Sequence, residues 1–122
     1  MADARRKVLI FEDNPNIQTI LNFYFLKRGL DSIISDSGDD AVALIREHDP
    51  ALVLMDLIMP GTDGVEACKN IRDAGLRIPI IMLTSKAFND DRERALASGA
   101  DAYLLKPFNP AELDATVRRL LA

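Results

Sequence analysis

Three short apolar runs, Val8-Leu9-Ile10-Phe11, Leu52-Val53-Leu54-Met55 and Ile80-Ile81-Met82-Leu83, are continuous along the chain and do not alternate with polar residues. Continuous runs predict the central strands of a parallel sheet, because helices on both faces bury every residue of such a strand. Ile33-Ile34 and Tyr103-Leu104-Leu105 are shorter and more mixed, as edge strands are. Between these runs the period changes to that of a helix. Ile17, Ile20, Leu21 and Tyr24 predict the inner face of a first helix, opened by Asn14-Pro15 and closed by Gly29. Ala41, Leu44 and Ile45 mark a second, ending before Pro50, and Cys68, Ile71 and Arg72 a third, between Gly64 and Gly75. The stretch from Asn89 to Ser98 has few large apolar residues, so its helix is the least anchored. Leu113, Val117, Leu120 and Leu121 mark the last, started by Asn109-Pro110-Ala111-Glu112.

Strands alternating with helices require crossover connections and predict an α/β, doubly wound, five-stranded parallel sheet. At 122 residues the chain fits one domain, read as 1–122. The apolar runs are too short to span a membrane. The basic start, Arg5-Arg6-Lys7, leads only into one of them, so a cytoplasmic protein is expected. The single Cys68 excludes an internal disulfide or a cysteine metal cluster and reads as packing. A net charge of −4 gives no electrostatic footprint for nucleic acid, so direct DNA binding by this domain is not expected. His48, at a helix end far from the strand termini, reads as solvated and favourable beside the helix C-terminus.

In doubly wound sheets the ligand site lies beyond the carboxyl ends of the strands. The first strand runs into Glu12-Asp13, the third ends in Asp56, the fourth in Thr84-Ser85 and the fifth in Lys106-Pro107. Each residue alone is ordinary turn or cap chemistry; together they converge on one rim. Three gathered carboxylates repel unless a cation sits among them, and an oxygen-only donor set suits a hard ion such as Mg²⁺ or Mn²⁺. A cation, a lysine and a hydroxyl around one aspartate form a phosphoryl-transfer constellation.

Residues 8–14 (Val-Leu-Ile-Phe-Glu-Asp-Asn), 54–64 (Leu-Met-Asp-Leu-Ile-Met-Pro-Gly-Thr-Asp-Gly), 83–85 (Leu-Thr-Ser) and 99–108 (Gly-Ala-Asp-Ala-Tyr-Leu-Leu-Lys-Pro-Phe) stand in one order and spacing. In this the chain closely resembles the receiver domains of bacterial two-component response regulators, chemotaxis-regulator-like, over nearly its whole length. The resemblance implies a flavodoxin-like fold with strand order 2-1-3-4-5. It implies Asp56 as phosphoacceptor, charged by a histidine kinase or histidine phosphotransfer protein, or by acetyl phosphate. Asp13 is implied to bind Mg²⁺ directly and Glu12 through water, with Asp56 and the backbone carbonyl of Ile58 completing the protein ligands. Lys106, commonly joined to Pro107 by a cis bond, is implied to contact the phosphoryl oxygens. Thr84 is implied to hydrogen-bond them and move, with Tyr103 turning inward as the coupled switch. A downstream protein target is implied at the face around residues 89–121, and a homodimer on phosphorylation is among the assemblies implied. Such a phosphoprotein is no enzyme beyond its own phosphorylation and dephosphorylation.

Two positions depart from the common pattern. Glu12 stands where an aspartate is frequent, which should preserve cation binding. Apolar Ile58 and, two residues after Thr84, Lys86 flank the path of the hydrolytic water. Ile58 is expected to hinder that water and lengthen the phosphoryl lifetime. Three other readings compete with a free-standing switch. A receiver fragment of a larger DNA-binding or enzymatic regulator fits equally. A pseudo-receiver interaction module is disfavoured by the presence of Asp13, Asp56, Thr84 and Lys106. A flavin protein would need a hydroxyl- and glycine-rich phosphate loop after the first strand, where this chain has Glu12-Asp13. An aspartate-nucleophile phosphatase would carry its nucleophile at the first strand and need a cap domain, so neither fits well.

Overall fold

The computed structural model describes residues 6–58, 61–84 and 89–121. Met59, Pro60, Ser85 and Lys86 lie outside the described residues. The continuous runs form strands, each with a helix after it. The strands are β1 (Arg6–Phe11), β2 (Leu30–Ser35), β3 (Leu52–Asp56), β4 (Ile80–Thr84) and β5 (Ala102–Leu105). The helices are α1 (Pro15–Leu26), α2 (Ala41–His48), α3 (Gly64–Asp73), α4 (Asn89–Ala97) and α5 (Pro110–Leu121). All neighbouring strands are parallel, in the order β2-β1-β3-β4-β5. This is the expected flavodoxin-like sheet.

Successive strand residues face opposite layers, and each continuous run therefore feeds two cores. Leu9, Phe11, Val53, Met55, Ile80 and Met82 pack with Ala41, Ile45, Cys68, Ile71 and Ala95, from α2, α3 and α4. Val8, Ile10, Leu52, Leu54, Ile81 and Leu83 pack with Leu21, Phe25, Leu113 and Val117, from α1 and α5. Cys68 is fully buried, and its thiol contacts the Ser98 carbonyl at 3.5 Å, which bears out packing. Among the described residues α4 is the shallowest element, with Ala95 buried and Leu96 40% exposed. His48 is half-buried, less solvated than expected.

The expected caps are present. Asn14 Oδ1 accepts from the N–H groups of Asn16 and Ile17, and Asn109 Oδ1 from those of Ala111 and Glu112. The inner face of α1 is as expected at Ile17, Leu21 and Tyr24, which pack on the core, and needs correction only at Ile20, whose place Phe25 takes. Leu21 and Phe25 are buried while Ile20 is 53% exposed and Phe23 60% exposed. Ile17, Ile20, Leu21, Phe23, Tyr24, Phe25 and Leu26 are apolar nearly all round the helix, so the period alone leaves its rotation ambiguous.

Two side-chain clasps tie the helices to their neighbours. Arg72 of α3 donates to the carbonyls of Gly99, Leu76 and Ile78 at 2.8–3.0 Å and pairs with Asp101 at 3.0 Å. Asp114 of α5 accepts from Tyr24 at 2.7 Å and Arg118 at 2.8 Å, and pairs with Arg28, joining α5 to α1 and the turn after it.

Candidate cation and phosphoacceptor site

Strand register assembles the site. Phe11 lies opposite Met55, so Glu12 follows the end of β1 beside Asp56 at the end of β3. Asp56 pairs with Leu83, Thr84 with Leu105, and Lys106 comes one step later. One row across the strand ends thus carries the expected acids, hydroxyl and lysine. Carboxylate oxygens of Glu12, Asp13 and Asp56 all lie within 4.8 Å of one another. Glu12 is buried, Asp56 is 7% exposed, and Asp13 opens to solvent.

Lys106 Nζ reaches Asp56 Oδ2 at 2.9 Å and Glu12 Oε1 at 2.5 Å. The bond from Lys106 to Pro107 is cis. Burial works to lower the Lys106 pKa, but the hydrogen bonds and charges of Glu12 and Asp56 outweigh it and raise the pKa. The ammonium is therefore held firmly protonated. Thr84 is 1% exposed, and its carbonyl accepts from the Lys106 N–H at 2.7 Å. The Ile58 N–H donates to Asp56 Oδ1 at 3.2 Å, while the Ile58 side chain is 52% exposed at the rim. Tyr103 pairs with Met82 and is half-buried, on the same sheet face as Thr84 and one pleat period below it.

The loops are fitted closely. At Gly64 a Cβ would stand 2.4 Å from the Asp56 carbonyl oxygen, so only glycine lets α3 begin against the end of β3. Gly61 has φ +77, and the Asp39 carboxylate, which accepts from the Thr62 N–H at 2.7 Å, fills the space a side chain would take. The acid pair is held too. Glu12 Oε2 accepts from the Asn14 N–H at 3.0 Å, and the Glu12 carbonyl accepts from Gln18 Nε2 at 2.5 Å. Sequence reading missed Gln18 and Asp39. Each looks like an ordinary solvated polar residue, and the only available signal is position: Gln18 falls one turn after the Asn14 cap, and Asp39 just before a helix.

Among the described residues, three carboxylates against one ammonium leave two negative charges over. A partly buried pair of like charges at this spacing repels by on the order of 3 kcal/mol, less where Asp13 meets water. Glu12 Oε1 is buried, and Lys106 is its one contact among the described residues. An all-oxygen set with an under-satisfied buried oxygen and a double negative excess fits a hard divalent cation.

A groove lies elsewhere, between α4, β5 and α5. It is lined by Arg92, Leu96, Tyr103, Leu105, Glu112 and Arg119, among others. No helix among the described residues is long and apolar enough to cross a membrane.

A parallel sheet in this order, with an acidic cluster and a lysine at its carboxyl rim, has the make-up of a receiver-type signalling domain. Residues 8–118 match the response regulator receiver domain, and the chain belongs to that family of two-component systems. It is 39% identical over 122 residues to the DNA-binding response regulator MtrA of Mycolicibacterium smegmatis, an alignment covering 99% of this chain and 53% of that protein. The chain spans about half the length of the curated relatives it matches. Among solved structures it is similar to the BeF3-activated N-terminal receiver domain of RstA from Klebsiella pneumoniae. That likeness has a TM-score of 0.89 at 34% identity, covering 95% of this chain and 98% of that one. It is also similar to the receiver domain of the sensor histidine kinase PA1611 from Pseudomonas aeruginosa PAO1, which has a magnesium ion coordinated in its active site cleft. Here the TM-score is 0.86 at 36% identity, covering 97% of this chain and 98% of that one.

Proposed function

We propose that this chain is a phosphorylatable switch whose acceptor is Asp56. The observation that carries the reading is the Lys106 ammonium, 2.9 Å from Asp56 and 2.5 Å from Glu12 within a cluster of three carboxylates. Asp13, Asp56 and the Ile58 carbonyl would hold Mg²⁺, with Glu12 acting through water; the ion supplies charge neutralisation for an incoming phosphoryl group. An Asp56 carboxylate oxygen attacks phosphorus, the bond from phosphorus to the donor breaks, and the donor keeps the bonding electron pair. Lys106 places its charge against the equatorial oxygens, and the Thr84 hydroxyl donates to one of them. The donor is a histidine kinase or histidine phosphotransfer protein.

The acyl phosphate brings nearly two negative charges and three acceptor oxygens, so the arrangement in which Thr84 and Lys106 both reach them gains population. Movement of Thr84 opens space on the sheet face it shares with Tyr103, and Tyr103 turns inward. The readout surface is the groove face around residues 89–121, which binds a downstream protein or a second copy of the chain. The half-length match to a DNA-binding regulator supports a second reading, in which residues 1–122 are the receiver of a longer regulator whose DNA contacts lie outside this domain. The net charge of −4 agrees with that division.

Incubation with Mg²⁺ and acetyl phosphate tests the acceptor. Intact mass should rise by one phosphoryl group in the native chain and not in Asp56→Asn, with amide shifts at Thr84 and Tyr103 in the native chain alone. A phosphorylated Asp56→Asn would remove the assignment. Ile58→Asn is expected to shorten the lifetime of the acyl phosphate, timed by mass spectrometry after donor removal; an equal or longer lifetime would show that Ile58 does not impede water.

A further inference from the structure

We infer that Gln18 is a positioning residue for the cation site, fixing the Glu12–Asp13 turn from α1; the inference rests on the cation-dependent reading above. Each polar group of Glu12 is engaged. Its N–H donates to the Ser35 carbonyl at 3.0 Å, Oε2 accepts from the Asn14 N–H at 3.0 Å, and Oε1 meets Lys106 at 2.5 Å. The carbonyl is taken by Gln18 Nε2 at 2.5 Å, across six residues of sequence.

The first three partners belong to the backbone or to the site itself. Gln18 alone reaches in from a helix side chain. Its acceptor is a carbonyl, so the group facing it is the amide nitrogen, and the orientation of the side chain is determined. That carbonyl belongs to the peptide joining Glu12 to Asp13. The peptide is planar, so holding its oxygen holds the plane from which the Asp13 side chain departs. Asp13 is exposed and has little packing to aim it, so the turn beneath it must do so. The lever is rigid: α1 is seated by fully buried Leu21 and Phe25, and its main chain closes on the turn where the Gln18 N–H donates to the Asn14 carbonyl at 3.0 Å. Mg²⁺ requires near-octahedral placement of its oxygens, so a small rotation of this peptide reduces affinity before it disturbs the fold.

Gln18→Met keeps the side chain's length and helix propensity and removes the donor. The full chain is titrated with MgCl₂ by calorimetry and by amide NMR, beside Asp13→Asn as the variant stripped of a ligand. The native chain should bind saturably, Asp13→Asn should not, and Gln18→Met should bind with a dissociation constant raised roughly tenfold. Saturable native binding with an unchanged constant in Gln18→Met overturns the inference and leaves the cation site standing, even if the melting temperature falls. A native chain that does not bind Mg²⁺ overturns the cation reading and the inference with it. A second measurement needs no variant. The Gln18 side-chain amide signals of the native chain should move with Mg²⁺ at the same midpoint as the Asp13 amide, and signals indifferent to the ion overturn the proposal.

Discussion

The molecule contains two side-chain ion networks with opposite balance. At the carboxyl rim of the sheet, Glu12, Asp13 and Asp56 gather where, among the described residues, one lysine meets Glu12 and Asp56. At the junction of α1 and α5, the single Asp114 carboxylate is surrounded by Tyr24, Arg28 and Arg118. The hydrogen bond from Tyr24, with the help of the two arginines, holds Asp114 down at about 2 against some opposition from burial. Burial and that same hydrogen bond push Tyr24 up to about 12. The second network is complete, and nothing has to arrive for its charges to be met. The first is short of positive charge among the described residues, which on the proposed reading leaves it prepared for a cation and then for a group that the cation and lysine can jointly hold. A finished clasp serves stability, whereas an unfinished one serves binding.

Lys106→Ala should break the contrast most severely. It leaves buried Glu12 and Asp56 facing each other without a counter-charge, a loss of about 3 kcal/mol in chemical unfolding without Mg²⁺. Added Mg²⁺ should recover part of that loss, since the ion supplies the missing charge; a loss untouched by Mg²⁺ would mean that the rim is not a cation site. Next comes Asp13→Asn, which relieves repulsion. It should raise stability by about 1 kcal/mol in metal-free buffer while abolishing the stabilisation that Mg²⁺ gives the native chain. Destabilisation in metal-free buffer would show that the cluster is already balanced.

Tyr24→Phe removes one bond from the finished clasp and should cost about 1 kcal/mol or less, equally with and without Mg²⁺. The smallest effect is in pH. The folded state holds the Asp114 proton only at a lower pH than the unfolded chain does. The clasp's contribution is therefore complete above the ordinary carboxylate value of 3.8 and fades as pH falls toward about 2. Acid unfolding curves of native and Asp114→Asn chains should converge over that interval.

Much of this was legible in the sequence, for identifiable reasons. The runs at residues 8–11, 52–55 and 80–83 could only be doubly covered strands, and the polar residue ending each had to lie on one rim because parallel strands share a direction. Asn14 and Asn109 announced helix starts because a side-chain acceptor before a proline has few other uses. What stayed hidden depends on backbone groups brought near from elsewhere. Arg72 serves carbonyls at Leu76, Ile78 and Gly99, and no residue type at those positions advertises an unsatisfied oxygen. Gln18 is concealed in the same way, its partner being the Glu12 main chain. One position of α1 failed differently: Ile20 is as apolar as Phe25, and only the packed sheet buries the second and leaves the first exposed.

The shallow seating of α4 has a mechanical corollary. A helix that lifts away from a core leaves a void shaped like whatever it had inserted, and the penalty grows with that volume. Where α1 moved, holes the size of a leucine and a phenylalanine would open; beneath Ala95 the vacated space is a methyl group. The sheet therefore resists displacement unevenly around its perimeter, and α4 marks the side on which a weak push travels furthest.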